Sequence, residues 1–163
     1  MSHLPFRIGL GYDIHSFIEG RPLVLGGITI PHSHGLDGHS DADVLCHAIA
    51  DAILGAAGLA DIGHFFPNDD PAIKGIDSLK IVEKAVEAVA AEGYLIGNID
   101  ATLIAEAPKI ARHIAAMKKR LSQSLGVEMA AIGLKATTNE RLGSLGRAEG
   151  IAAHAVCLLM RKG

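Results

Sequence analysis

Asp37-Gly38-His39-Ser40-Asp41-Ala42-Asp43-Val44-Leu45-Cys46-His47 puts two histidines and three carboxylates directly ahead of an apolar helical pattern. Ser40 is the expected helix N-cap, with Asp43 three residues on to close a capping box and favour the positive helix end. Val44, Leu45, Ala48, Ile49, Ala52 and Ile53 then recur at helical spacing, and Gly55 and Gly58 offer stops. This places His39 and Ser40 at a helix amino terminus, where free backbone N–H groups attract anions, phosphate above all. His47 falls one to two turns inside, beside the buried stripe, so its imidazole needs a polar partner.

A partner lies upstream. Phe6 to His15 reads as a strand, and residues two apart in an extended chain point to one face, so Asp13 and His15 can aim together. With His47 they form two imidazoles and a carboxylate, a three-ligand set that leaves a coordination position open, as catalytic zinc sites do. Taken alone, these pieces fit solvated polar residues at a strand end and a satisfied core histidine slightly better, because nine histidines offer such pairs by chance.

The 163 residues are expected to form one domain, 1–163, with a core of Ala, Ile, Leu and Val, since aromatic residues are only 4%. A net charge of −3 without a Lys/Arg run argues against nucleic acid as a partner. The amino terminus lacks a basic flank followed by an apolar stretch, and Asp51 with two glycines interrupts the most apolar region. No leader and no membrane span are therefore expected. Cys46 and Cys157 fall on buried positions, which suits small core residues in a reducing cytoplasm.

Leu23–Leu25, Gly26-Gly27 and Ile28–Ile30 predict a tight hairpin, followed by a loop from Pro31 to Asp37. Asp61 to Pro71 is the longest stretch without periodicity, and Phe65-Phe66-Pro67 within it suggests a loop that closes over something. Asp77 or Ser78 starts a second helix ending at Gly93, and Tyr94 to Ala105 alternates as a strand. Pro108 suits the first turn of a third helix that runs to Gly126. Ile132–Ala136 is a strand. Gly150 to Met160 is the last, apolar on both faces and so central or buried at an interface. The fold class is α+β: a single-domain α/β sandwich, one mixed sheet with helices on one face.

Lys135 to Gly143 is the second chemical cluster. The Thr137 and Thr138 hydroxyls, successive backbone N–H groups including that of Asn139, and the Glu140 carboxylate follow a strand end. They suit a diphosphate with a hard cation, because Mg²⁺ prefers oxygen ligands shared between carboxylate and phosphate. An ordinary strand-to-turn junction capped by threonines fits the same residues.

Several ordered segments together resemble the 2-C-methyl-D-erythritol 2,4-cyclodiphosphate synthase family of the non-mevalonate isoprenoid pathway. They are Arg7-Ile8-Gly9 with Gly11 to His15; His39 to Val44 with His47; Asp61-Ile62-Gly63; Phe66-Pro67; and Asp69-Asp70-Pro71. Lys74-Gly75, Asp77-Ser78, Ala107-Pro108-Lys109, Lys135 to Glu140, Gly146-Arg147 and Glu149-Gly150-Ile151 complete the series. The resemblance implies a cytoplasmic homotrimer with its sheets around the axis and active sites at subunit interfaces. It implies the substrate 4-diphosphocytidyl-2-C-methyl-D-erythritol 2-phosphate and the products cyclic diphosphate and CMP.

Carried over by motif, Asp13, His15 and His47 are the zinc ligands, and His39 and Ser40 contact phosphate. Asp61, Ile62 and Gly63 hold the ribose. Phe66, Asn68 and Asp70 belong to a mobile cover, and Ala105, Ala107, Pro108, Lys109 and Ile110 line the cytosine pocket. Thr137, Thr138, Asn139 and Glu140 meet the diphosphate and a second cation, Mg²⁺ or Mn²⁺, with Glu140 as its ligand. His39 and Thr138 are the residues expected closest to catalysis. Ser144 and Arg147 lie at a trimer cavity where an isoprenoid diphosphate has a place to bind. Asn68 stands where several relatives carry Asp, and Ser144 where an aromatic is frequent. Two other readings use the same residues: a zinc phosphoester hydrolase, which would release a linear product, and a trimeric nucleotide-binding protein, which would need no zinc.

Overall fold

The structure is a computed structural model and describes residues 5–67 and 74–163. Five strands form one mixed sheet in the order β4-β1-β7-β5-β6, from β1 (Phe6–Glu19), β4 (His34–Leu36), β5 (Tyr94–Ile104), β6 (Ile132–Thr137) and β7 (Gly150–Arg161). β7 is central, as its two apolar faces require, and pairs antiparallel with β1 and β5, while β5 and β6 run parallel. The hairpin β2 (Leu23–Leu25) and β3 (Ile28–Ile30) stands apart from that sheet, turning at Gly26 and Gly27 with φ of 56° and 70°.

Helices α1 (Val44–Ala57), α3 (Ser78–Ala91) and α4 (Ile114–Leu125) are the long ones, with short turns α2 (Ile62–Phe65) and α5 (Gly143–Gly146). Among the described residues no helix is long and apolar enough to cross a membrane. Three expectations are corrected. The N-cap of α1 is Asp43, not Ser40: Asp43 Oδ1 accepts from the Leu45 and Cys46 N–H groups, and Oδ2 accepts from Gly27 N at 2.8 Å. The second bond, from the hairpin turn, is a tertiary preference that local capping patterns do not contain. Pro108 does not open α4, which starts at Ile114 after a 3₁₀ turn over Ala111–His113. The loop from Pro31 to Asp37 contains β4, which pairs with Phe17–Glu19.

What positions the site is the approach of α1 to β1. A Cβ at Gly11 would sit 1.9 Å from the Ala48 carbonyl oxygen, and one at Gly9 would sit 2.1 Å from that of Ala52. The bare backbones of Gly9 and Gly11 therefore let α1 lie directly on the strand. Two and four residues beyond Gly11, Asp13 and His15 project to the same helix-bearing face. Gly11→Ala is expected to push α1 outward, costing about 1–3 kcal/mol of stability and weakening metal binding. Urea unfolding checks this: an unchanged midpoint would show that the close contact is not required.

The other sheet face carries a row of exposed apolar side chains. Ile8, Leu10, Tyr12 and Ile14 of β1 lie there with Val156 and Met160 of β7 and Leu95 of β5, and Ile8 and Leu10 are 65% and 68% exposed. Leu10 pairs with Val156, and Phe6 with Met160, so these side chains form one continuous apolar surface. Buried Cys46 and Cys157 are free thiols on the core side, and burial pushes the Cys157 thiol up to about 12.

Candidate metal centre and its second half-site

Asp13 and His15 reach from β1, and His47 from the first turns of α1, to a common point. Asp13 Oδ2 lies 2.9 Å from His15 Nε2 and 3.0 Å from His47 Nδ1, and the two imidazole nitrogens are 3.3 Å apart. A tetrahedral metal with ligands at ~2.0–2.1 Å spaces its donors about 3.3 Å apart, close to this triangle. The donor chemistry fits too. His15 Nδ1–H donates to the Asp37 carbonyl at 2.5 Å, so in its neutral form Nε2 presents a lone pair to the Asp13 carboxylate. Lone pairs from three groups converge on one point, which a cation relieves. Among the described residues this is the group of three His, Cys or carboxylate side chains able to hold a metal.

The titration behaviour agrees. Burial raises the Asp13 carboxyl, but hydrogen bonds and charge from His15 and His47 outweigh it and hold it well below the usual carboxylate range. Burial lowers the His15 imidazole, yet Asp13 and the Asp37 carbonyl raise it by more, for a net rise. The cluster is built to hold positive charge, and a metal entering it displaces a proton.

A cleft of about 250 Å³ opens over the triad, lined also by Gly38, His39, Ser40, Ile62, Gly63 and Phe66. Arg21 shapes its rim by donating to the carbonyls of Gly38 (2.5 Å) and Ser40. His39 and Ser40 are thus beside the triad as expected, but in the turn before the helix. The anion-binding argument changes accordingly: Ser40 Oγ accepts from Ala42 N at 3.0 Å, and the first N–H groups of α1 are bound by Asp43. Asp61 caps α2, accepting from His64 N at 3.2 Å, and is exposed at the edge of the cleft. Asn68 and Asp70 lie outside the described residues.

The second cluster forms a separate hollow of about 140 Å³ lined by Ala105, Pro108, Lys109, Ile110, Ala111, Ala136, Thr137 and Thr138. Thr138 Oγ1 donates to Glu140 Oε1 at 3.2 Å. Sequence reading missed Glu106, whose Oε1 accepts from both Asn139 N and Arg141 N at 3.0 Å. The Asn139 and Arg141 N–H groups are therefore already bound to this carboxylate, and that of Glu140 lies 3.3 Å from Thr138 Oγ1, leaving the threonine hydroxyls and the Glu140 carboxylate to face a ligand. Ser144 and Arg147 are exposed outside both hollows, and Arg147 Nε donates to Glu149 Oε1 at 2.6 Å.

The two hollows share no residue, and strand register explains why. Ile14 pairs with Ala152, Ala152 with Ile104, and Ile104 with Thr137. Thr137 is thus level with the triad but three strand spacings away, roughly 14 Å. It shares the open face with Ile14, whereas Asp13 and His15 face α1.

Comparison with known proteins supplies the family. A relative from Synechococcus elongatus named 2-C-methyl-D-erythritol 2,4-cyclodiphosphate synthase is 60% identical over 156 residues, covering 96% of this chain and 98% of its own. One of the same name from Bordetella petrii is 56% identical over 159 residues, 98% of each. A solved CDP complex of IspF from Plasmodium falciparum superposes with a TM-score of 0.86 at 36% identity, over 99% of this chain and 100% of that one. The bifunctional IspDF of Campylobacter jejuni gives a TM-score of 0.92 at 40% identity over 96% of this chain, which spans 42% of that protein. The YgbB family profile matches residues 6–160, from the first strand through the triad to the central strand, and the chain belongs to the YgbB family.

Proposed function

We propose that this chain is a metal-dependent cyclase of isoprenoid precursor biosynthesis. It converts 4-diphosphocytidyl-2-C-methyl-D-erythritol 2-phosphate to 2-C-methyl-D-erythritol 2,4-cyclodiphosphate and CMP. The observation that carries the reading is the triangle of Asp13, His15 and His47 donors at 2.9–3.3 Å, opening into a cleft beside His39 and Ser40. Zinc is the proposed occupant, since two imidazoles, one carboxylate and an open position suit it.

No side-chain nucleophile is needed. The substrate's 2-phosphate attacks the β-phosphorus and CMP departs; a phosphate monoester, with a second pKa near ~6, is largely dianionic at neutral pH. The residues fold the substrate so that attacking and leaving oxygens lie in line, and they neutralise the developing charge. A divalent cation on the triad supplies Lewis-acid charge for the phosphate oxygens. His39 and Ser40 bind phosphate from the cleft side, and Thr137 and Thr138 from the other hollow, with Asn139 joining them only where its N–H leaves Glu106. Glu140 holds a second cation, Mg²⁺ or Mn²⁺. Asp61, Ile62 and Gly63 take the ribose, Phe66 with Asn68 and Asp70 the erythritol part. Ala105 to Ile110 take the cytosine, with Lys109 at the rim.

The roughly 14 Å and the two strands, β7 and β5, between the hollows support a site completed by a second copy. The exposed apolar face supports a homotrimer packed through the sheets, each copy contributing its residues 1–163 as one domain, and the cytoplasm is its proposed compartment. Arg147 and Glu149 then approach the axis, where Arg147 is the proposed anion contact for an isoprenoid diphosphate. Ser144, lacking an aromatic wall, makes that binding weak.

The product mixture tests the reading. Phosphorus NMR of a turnover mixture is expected to show CMP and a cyclic diphosphate without inorganic phosphate. A linear diphosphate or free phosphate as main product would establish the hydrolase instead, and no turnover at all would favour a binding protein.

A further inference from the structure

His47 is held at both ends of its ring. Its Nδ1 faces Asp13 and His15, while Nε2 lies 3.0 Å from Ser78 Oγ and 3.1 Å from Ser40 Oγ. A ring nitrogen that binds a metal presents its lone pair, so in the liganding tautomer the hydrogen of His47 sits on Nε2. Two hydroxyl oxygens are then in reach to accept it.

They differ in where their own hydrogens go. Ser78 is fully buried at the first turn of α3, and its Oγ–H donates to Asp41 Oδ1 at 2.5 Å. Asp41 Oδ2 accepts from the Ser78 backbone N–H at 3.1 Å, which fixes the pair in both directions. A hydroxyl that donates to a carboxylate becomes a better acceptor at its oxygen, because hydrogen bonds in a chain polarise one another. Among the described residues Ser40 Oγ has no carboxylate partner; it accepts from Ala42 N at 3.0 Å and lies 3.3 Å from Ser78 Oγ.

We propose that Ser78, backed by Asp41, is the positioning residue for the metal-ligating ring of His47. The Ser78 oxygen accepts the Nε2 hydrogen, and the Ser78 hydrogen goes to the Asp41 carboxylate. Metal ligands on imidazole are oriented by what their second nitrogen donates to, and here a buried serine stands between ring and carboxylate. The arrangement has a consequence for Ser40. With the Nε2 hydrogen directed to Ser78, the Ser40 hydroxyl keeps its own hydrogen for an anion in the cleft that it lines. The inference rests on the reading of Asp13, His15 and His47 as the ligand set.

Zinc affinity of purified protein, measured by competition with a chromophoric chelator, tests this without any turnover. Ser78→Ala is expected to weaken zinc binding by about 10–100-fold. Asp41→Asn should also weaken it, and the double variant should bind no more weakly than Ser78→Ala alone, since both act through one chain of bonds. Cobalt(II) bound to Ser78→Ala should show a shifted visible spectrum. Wild-type zinc affinity in Ser78→Ala, with only its melting temperature lowered, would overturn the proposal and leave Ser78 as a helix-start residue. So would strictly additive losses in the double variant. If Ser78→Ala does not fold, Asp41→Asn carries the same readout, and unchanged affinity there overturns the relay. A His47→Ala control separates the two ideas: zinc bound at wild-type strength in that control would sink the ligand set itself.

Discussion

His47→Ala is expected to purify with almost no zinc, where the unaltered chain holds about one per subunit. Turnover is expected to fall by about 10³-fold or more, equivalent to roughly 4 kcal/mol of transition-state stabilisation. The size follows from the geometry: removing one of three donors at 2.9–3.3 Å leaves Asp13 and His15 as a two-ligand set. His47 is nearly buried and within hydrogen-bond distance of Ser40 and Ser78, so its loss also empties a packed position, although Ser78 keeps its bond to Asp41 and Ser40 its bond from Ala42 N. His15→Ala separates these effects, because His15 is more exposed and its removal strands only the Asp37 carbonyl. Elemental analysis with circular dichroism is the check. Wild-type zinc content in two folded variants would remove the triad from the account.

Leu10→Asp is expected to convert a trimer into monomers. Leu10 is the most exposed aliphatic side chain of the open β1 face and stands beside Val156 on the central strand. Covering such a leucine contributes about 1.5–3 kcal/mol in each subunit. A carboxylate in its place must be desolvated or must hold the interface open, which costs several kcal/mol more. Activity should disappear with assembly, although the triad lies on the other side of the sheet, if the Thr138 hollow comes from another copy as proposed. Sedimentation velocity checks this. A monomeric unaltered chain, or a fully active monomeric Leu10→Asp, would contradict the assembly.

Elements with a strong period were legible in the sequence. The alternation of Ile99, Ala101 and Leu103 marked β5, and the apolar faces of Gly150 to Met160 marked a central strand. Asp13, His15 and His47 were legible as a set because two sit i, i+2 on a strand and one follows a strong helical pattern. What stayed hidden depended on distant partners. Asp43 outcompetes Ser40 as the cap because Gly27 N also binds it. β4 is three residues long and exists only by pairing with the end of β1. Glu106 takes the Asn139 and Arg141 N–H groups from more than thirty residues away. Ser78 read as a helix start beside Asp77; its contact with His47 arises only once α3 packs against α1.

Each active site is proposed to join the triad of one copy to the Thr138–Glu140 cluster of another. Mixing two inactive variants tests it most directly. His47→Ala and a Thr138→Ala/Glu140→Gln variant are each expected to be nearly inactive as homotrimers. Co-expressed and purified as mixed trimers, they should regain activity, because each mixed trimer has an interface at which both unaltered halves meet. Recovery to a sizeable fraction of the unaltered activity is the result predicted here. Mixed trimers that stay as inactive as their parents would show that one chain supplies both halves, and would contradict the shared site.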